Sequence, residues 1–159
     1  MGIFTDIFIA SEAEVADTSF ATASPAERFP ALMGKNIDPV ALANLSAALR
    51  GADGTPLEQD ALEIDEVNDV VRDIGAENGG PEGEQWIYRI PATLIQQIVT
   101  LPTADVSRAG AAWANTFWRR TPTPTPDFVA GIVAYLEQLR QIAVRARSEE
   151  KMLFLWISL

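Results

Sequence analysis

The stretch that most constrains this chain is residues 152–159, Met-Leu-Phe-Leu-Trp-Ile-Ser-Leu. Its apolar residues run continuously instead of alternating, which predicts a strand covered on both faces. Eight residues are far short of the roughly 20 needed to cross a bilayer. The sequence before it explains how such a strand could be placed. Phe128, Ile132, Tyr135, Leu136, Leu139, Ile142, Ala143 and Ala146 recur at helical spacing. They predict a helix from Pro126 or Asp127 to Ser148, about 33 Å long at about 1.5 Å per residue. Arg140, Arg145 and Arg147 lie toward its C-terminal half, where cations suit the helix dipole. Upstream, residues 121–126 read Thr-Pro-Thr-Pro-Thr-Pro, a stiff extended connector of roughly 19 Å. Helix and connector together form a route that delivers the last strand to the middle of a sheet.

The remaining pattern supplies partners for that strand. Residues 3–10 are rich in β-branched and aromatic types, with Ile3, Thr5, Ile7 and Ile9 on one face and Phe4, Asp6 and Phe8 on the other. Residues 86–90, Trp-Ile-Tyr-Arg-Ile, read as another strand, stopped by Pro91. Residues 11–23 read as an irregular crossing. Ser24-Pro25-Ala26-Glu27 fits the start of a short helix that Pro30 ends. Asp38-Pro39 opens a firmer helix carrying Leu42, Leu45 and Leu49, with Gly51 as its C-terminal glycine. A third helix follows Thr55-Pro56 and carries Leu57, Ala61, Ile64, Val67, Val71 and Ile74. Residues 75–84 hold four glycines and a proline, a loop composition. Two more helices are expected, one after Pro91 with Leu94, Ile95, Ile98 and Leu101, and one over about 103–118 with Val106, Ala109, Trp113 and Phe117. The expected fold is α+β: a helix-rich single domain, 1–159, packed on a small mixed sheet of about three strands with the C-terminal strand central. A chain of this length can bury roughly 68–70% of its unfolded surface without disulfide or metal support.

Composition removes several chemistries. The 159 residues include no cysteine and no histidine. That excludes thiolate nucleophiles, Fe–S clusters, cysteine zinc sites, the Ser–His–Asp triad and the HExxH zinc motif. The glycines of 75–83 lack the spacing and the Lys-Ser/Thr of a phosphate loop. No catalytic motif, cofactor motif or metal-ligand spacing emerges. The net charge is −10, distributed as −4 over residues 1–56, −9 over 57–84 and +3 over 85–159. This balance argues against nonspecific nucleic-acid binding. With no secretory or membrane-spanning pattern, the expectation is a soluble cytoplasmic protein with no membrane partner.

Three clusters are candidate sites. On the third helix Asp65, Asp69 and Asp73 lie at i, i+4 and i+8, with Glu66 beside them. This acidic face could dock a basic protein or, with ligands from another element, hold Mg²⁺ or Ca²⁺. Trp118, Arg119 and Arg120 follow Trp113 and Phe117. Aromatic and arginine side chains so interleaved could contact a partner or ligand, although Trp113 and Phe117, four residues apart, read as core. Arg89, next to Tyr88, could bind the carboxylate of a small acidic ligand.

The expected function is non-enzymatic binding to a macromolecular partner, an inhibitor-type or immunity-type protein being one specific form, through Asp65, Glu66, Asp69, Asp73, Trp118, Arg119 and Arg120. A carboxylate-based, metal-assisted enzyme and a small-molecule-binding domain are the alternatives.

Overall fold

The structure is a computed structural model that describes residues 3–17, 24–51, 85–117 and 123–158. In these segments five α-helices pack on a four-stranded antiparallel sheet, an α+β fold. The strands are β1 (Phe4–Ala10), β2 (Ala31–Lys35), β3 (Gln85–Arg89) and β4 (Met152–Ser158). The helices are α1 (Glu12–Ala16), α2 (Pro39–Leu49), α3 (Ala92–Thr100), α4 (Val106–Thr116) and α5 (Pro126–Ser148).

The sheet order is β2-β1-β4-β3. The C-terminal strand is therefore internal, as its unbroken apolarity requires. β4 pairs with β1 from Phe4↔Ser158 to Ala10↔Met152, and with β3 from Gln85↔Ser158 to Arg89↔Phe154. Leu153, Phe154, Leu155, Trp156 and Ile157 are all buried. Leu153, Leu155 and Ile157 join Ile7 and Ile9 on the face covered by α2 to α5. Phe154 and Trp156 join Phe8, Ala10 and Ile87 on the opposite face, under Val15 of α1 and Phe29. The Phe8 ring lies between Phe29 and Phe154, with centroids 5.3 and 5.6 Å away.

Two expectations about the sheet need correction. It has four strands, not three, and its pairings are all antiparallel, not mixed. The missed strand, β2, is Ala-Leu-Met-Gly-Lys. A glycine and an outward Met33, 72% exposed, hide its period in the sequence. Pairing with β1 defines it. Gly34 is needed there because an added Cβ would lie 2.9 Å from the Tyr135 hydroxyl.

Local chemistry explains most helix boundaries. Asp38 accepts the Ala41 N–H at 2.7 Å and Pro39 takes the first helical position, so α2 starts where expected. Gly51, at φ +76°, follows its end in the left-handed region. Residues 39–49 contain no charged side chain, and residues 41–48 are buried all round. Thr125 caps α5, whose 23 residues span about 34 Å. Two short pieces differ from expectation. Residues 12–16 form α1 instead of an irregular crossing, because Ser11 and Glu14 close a reciprocal capping box. Pro25–Glu27 makes one 3₁₀ turn, and Ser24 makes no side-chain cap. The helix expected at about 103–118 divides into a 3₁₀ turn, Thr103–Asp105, and α4. The helix predicted after Thr55-Pro56, the loop at 75–84 and residues 121–122 of the connector lie outside the described residues.

Trp113 locks the helical layer together. It is fully buried, and its indole N–H donates to the Ala41 carbonyl of α2 at 2.7 Å. Its ring lies 5.6 Å from Phe117 and 6.2 Å from Tyr135 of α5. Trp113 and Phe117 are thus core residues, as their spacing implied.

Candidate functional site

One end of the sheet carries the most distinctive chemistry among the described residues. There β3 ends, α3 begins, and the α5–β4 turn closes beside them. Together they form a cleft of about 710 Å³. Its cations are Arg89, Arg147 and Lys151; Ile90, Ile95 and Met152 supply much of its apolar wall.

Each element places its residue for a local reason. β3 continues to pair one step past its last residue, because the Ile90 N–H donates to the Leu153 carbonyl at 2.9 Å. Ile90 is thereby buried under the helices, and Arg89 points to the opposite face. Pro91 then stops the strand and stands at the cap of α3. It has no side-chain acceptor, so the positive end of α3 opens toward the cleft without a side-chain cap. On the other wall, α5 ends in a Schellman turn. The Lys151 N–H donates to the Ala146 carbonyl at 2.9 Å and the Glu150 N–H to the Arg147 carbonyl at 3.2 Å. Glu150 sits at φ +54°, in the left-handed region usually given to glycine. This reversal brings Lys151 back beside the last turn of α5, which carries Arg147.

Two of the three cations are already engaged by α1. Arg89 pairs with Glu12, and the Lys151 ammonium donates to Glu14 at 2.9 Å. Glu14 also accepts the Ser11 N–H at 2.7 Å. The Ser11 N–H first, then Lys151, hold the Glu14 carboxyl below its ordinary pKa. Arg147 makes no ion pair with a described residue, and its side chain is exposed. Among the described residues, the lining contains three basic side chains and no acidic one. Cationic side chains gathered in this way can attract an anion.

A second cavity, about 780 Å³, is a groove between α4 and α5. Val106, Pro124, Val129 and Val133 line it, with Glu137 the one charged lining residue among the described residues.

The sites expected from sequence fall differently. Asp65, Glu66, Asp69, Asp73, Trp118, Arg119 and Arg120 lie outside the described residues. Arg89 and Tyr88 do not act together: Tyr88 packs against the helix-covered core, and Arg89 turns to the other face. Arg147 and Lys151 had signals only as helix-end and turn residues. Their convergence with Arg89 depends on the β3–β4 pairing, which no local pattern encodes. Among the described residues, no group of three acidic, histidine or cysteine side chains is arranged to hold a metal, and no helix is long and apolar enough to cross a membrane. Comparison with protein-family models, characterised proteins and solved structures gave no match.

Proposed function

We infer that this chain is a binding protein whose β3–α3–α5 cleft takes a small anionic molecule. The single observation behind the reading is the gathering of Arg89, Arg147 and Lys151 on a 710 Å³ cleft with no acidic lining among the described residues, in a strongly acidic chain. The volume lies within the roughly 300–1,000 Å³ usual for small-molecule sites. Arginine offers a carboxylate or phosphate a planar fork of donors, and lysine adds a compact charge. Binding by these groups requires neither histidine nor cysteine. We place the role in the cytoplasm on the cysteine-free composition. The test is amide NMR of the labelled protein titrated with acetate, benzoate and inorganic phosphate. Saturable shifts should cluster at residues 89–96 and 147–152. Shifts scattered over the surface, or none at millimolar anion, would refute the cleft.

The charge of −9 over residues 57–84 favours a second reading, a basic protein docked on Asp65, Glu66, Asp69 and Asp73, with Trp118, Arg119 and Arg120 as further contacts. Neutralising those four acids should abolish capture of the partner at low salt while the melting temperature holds. Capture that survives both the neutralisation and high salt would remove this reading.

A further inference from the structure

The cleft's charge balance and its wall together specify the kind of anion, given the cleft reading above. Arg89, Arg147 and Lys151 contribute three positive charges. Glu12 and Glu14, each bonded to one of these cations, return two negative charges. Among the described residues the surplus is one positive charge, and Arg147 is the cation with no ion pair. A monoanion neutralises that surplus and leaves both α1 ion pairs intact. A dianion would leave one negative charge unbalanced beside Glu12 and Glu14.

The wall makes the second demand. Ile90, Pro91, Ala92, Ile95 and Met152 supply the apolar half of the cleft's lining residues. Met152 is 37% exposed, one of the few large apolar side chains left in solvent among the described residues. Its unbranched thioether can adapt to an apolar body laid against it. A small hydrophilic anion would leave that surface wet, whereas an amphipathic one buries it.

We propose that the ligand is an amphipathic monoanion. One carboxylate or sulfate head meets Arg147 and the outward side of the Arg89 guanidinium, and an apolar tail or ring lies along Pro91, Ile95 and Met152.

Calorimetric titration of the full chain with decanoate and decyl sulfate, both below their micelle concentrations, tests this. Acetate, inorganic phosphate and decyltrimethylammonium are the comparison ligands. Decanoate and decyl sulfate should bind at least about tenfold more tightly than each of the three, because head and tail each contribute. Arg147→Gln, at an exposed helix-end position, should weaken decanoate by about tenfold with an unchanged melting temperature. Met152→Ser should weaken decanoate and leave acetate unaffected. If phosphate or acetate binds as tightly as decanoate, the ligand class is wrong and the anion cleft stands. If no anion binds, both are wrong. If decyltrimethylammonium matches decanoate, or Arg147→Gln leaves decanoate binding unchanged, the tail is sticking to apolar surface and the proposal is overturned.

Discussion

Two glycines on facing helices should respond to the same substitution with opposite signs. Gly110 lies in α4 and is buried; Gly131 lies in α5 and is exposed. In a helix interior, replacing glycine by alanine restricts the unfolded chain and is worth roughly 0.5–1 kcal/mol. At Gly131 nothing within 4 Å meets an added Cβ, so the whole gain should appear. At Gly110 the Cβ would sit 2.7 Å from Val133 Cγ2 and 2.9 Å from Val133 Cα. Turning the Val133 side chain could relieve the first of these clashes. It cannot relieve the second, which is with the backbone, so α5 would have to move off α4. Overpacking of this kind costs about 1–3 kcal/mol, more than the conformational gain. Gly110→Ala should therefore lose about 1–2 kcal/mol net, and Gly131→Ala should gain about 0.5–1 kcal/mol. At about 2–4 °C per kcal/mol for a chain of this size, Tm should fall by about 2–8 °C in the first and rise by about 1–4 °C in the second. Thermal unfolding by circular dichroism, with urea midpoints as a check, measures both. If Gly110→Ala stabilises as much as Gly131→Ala, α4 and α5 do not pack in this register.

Trp113→Phe should remove the buried indole bond to the Ala41 carbonyl and leave a small void, costing about 2 kcal/mol. Urea unfolding would show it as a lower midpoint; an unchanged midpoint would mean that Trp113 does not tie α4 to α2. Asp6 is 5% exposed, and burial pushes its carboxyl above the ordinary carboxylate pKa, against the Ala26 N–H and then the Ser24 hydroxyl, which lower it. The folded state thus holds this proton more tightly than the unfolded chain does. Its contribution to stability is full below the unfolded pKa and is lost as pH rises through the folded one. The Tm of Asp6→Asn relative to the parent should accordingly be more favourable at about pH 7 than at about pH 3; a difference independent of pH would refute the raised pKa.

Residues with a strong local cause were legible in advance. Asp38-Pro39, Thr125-Pro126 and Gly51 mark helix ends through caps and backbone geometry that involve only neighbouring residues. The continuous apolarity of 152–158 likewise implied an internal strand. Met33 and Gly34 showed no strand period, since an edge strand exposes some residues and yields close-packed positions to its neighbours. Of the cleft, Arg89 was a candidate anion contact in the sequence. Arg147 and Lys151 did not, because each had an adequate local explanation.

The sequence by itself determined the helix-rich α+β class, the internal place of the last strand and the absence of histidine and cysteine chemistry. Those follow from composition, period and capping, which act over a few residues. Only the tertiary structure decided the antiparallel order β2-β1-β4-β3, the pairing of α1 with Arg89 and Lys151, and the cleft itself. Apart from the β1–β2 pairing, these join residues more than 50 positions apart, such as Arg89 and Arg147. Side-chain charges meet at such separations only after the apolar faces of the strands and helices have been packed together.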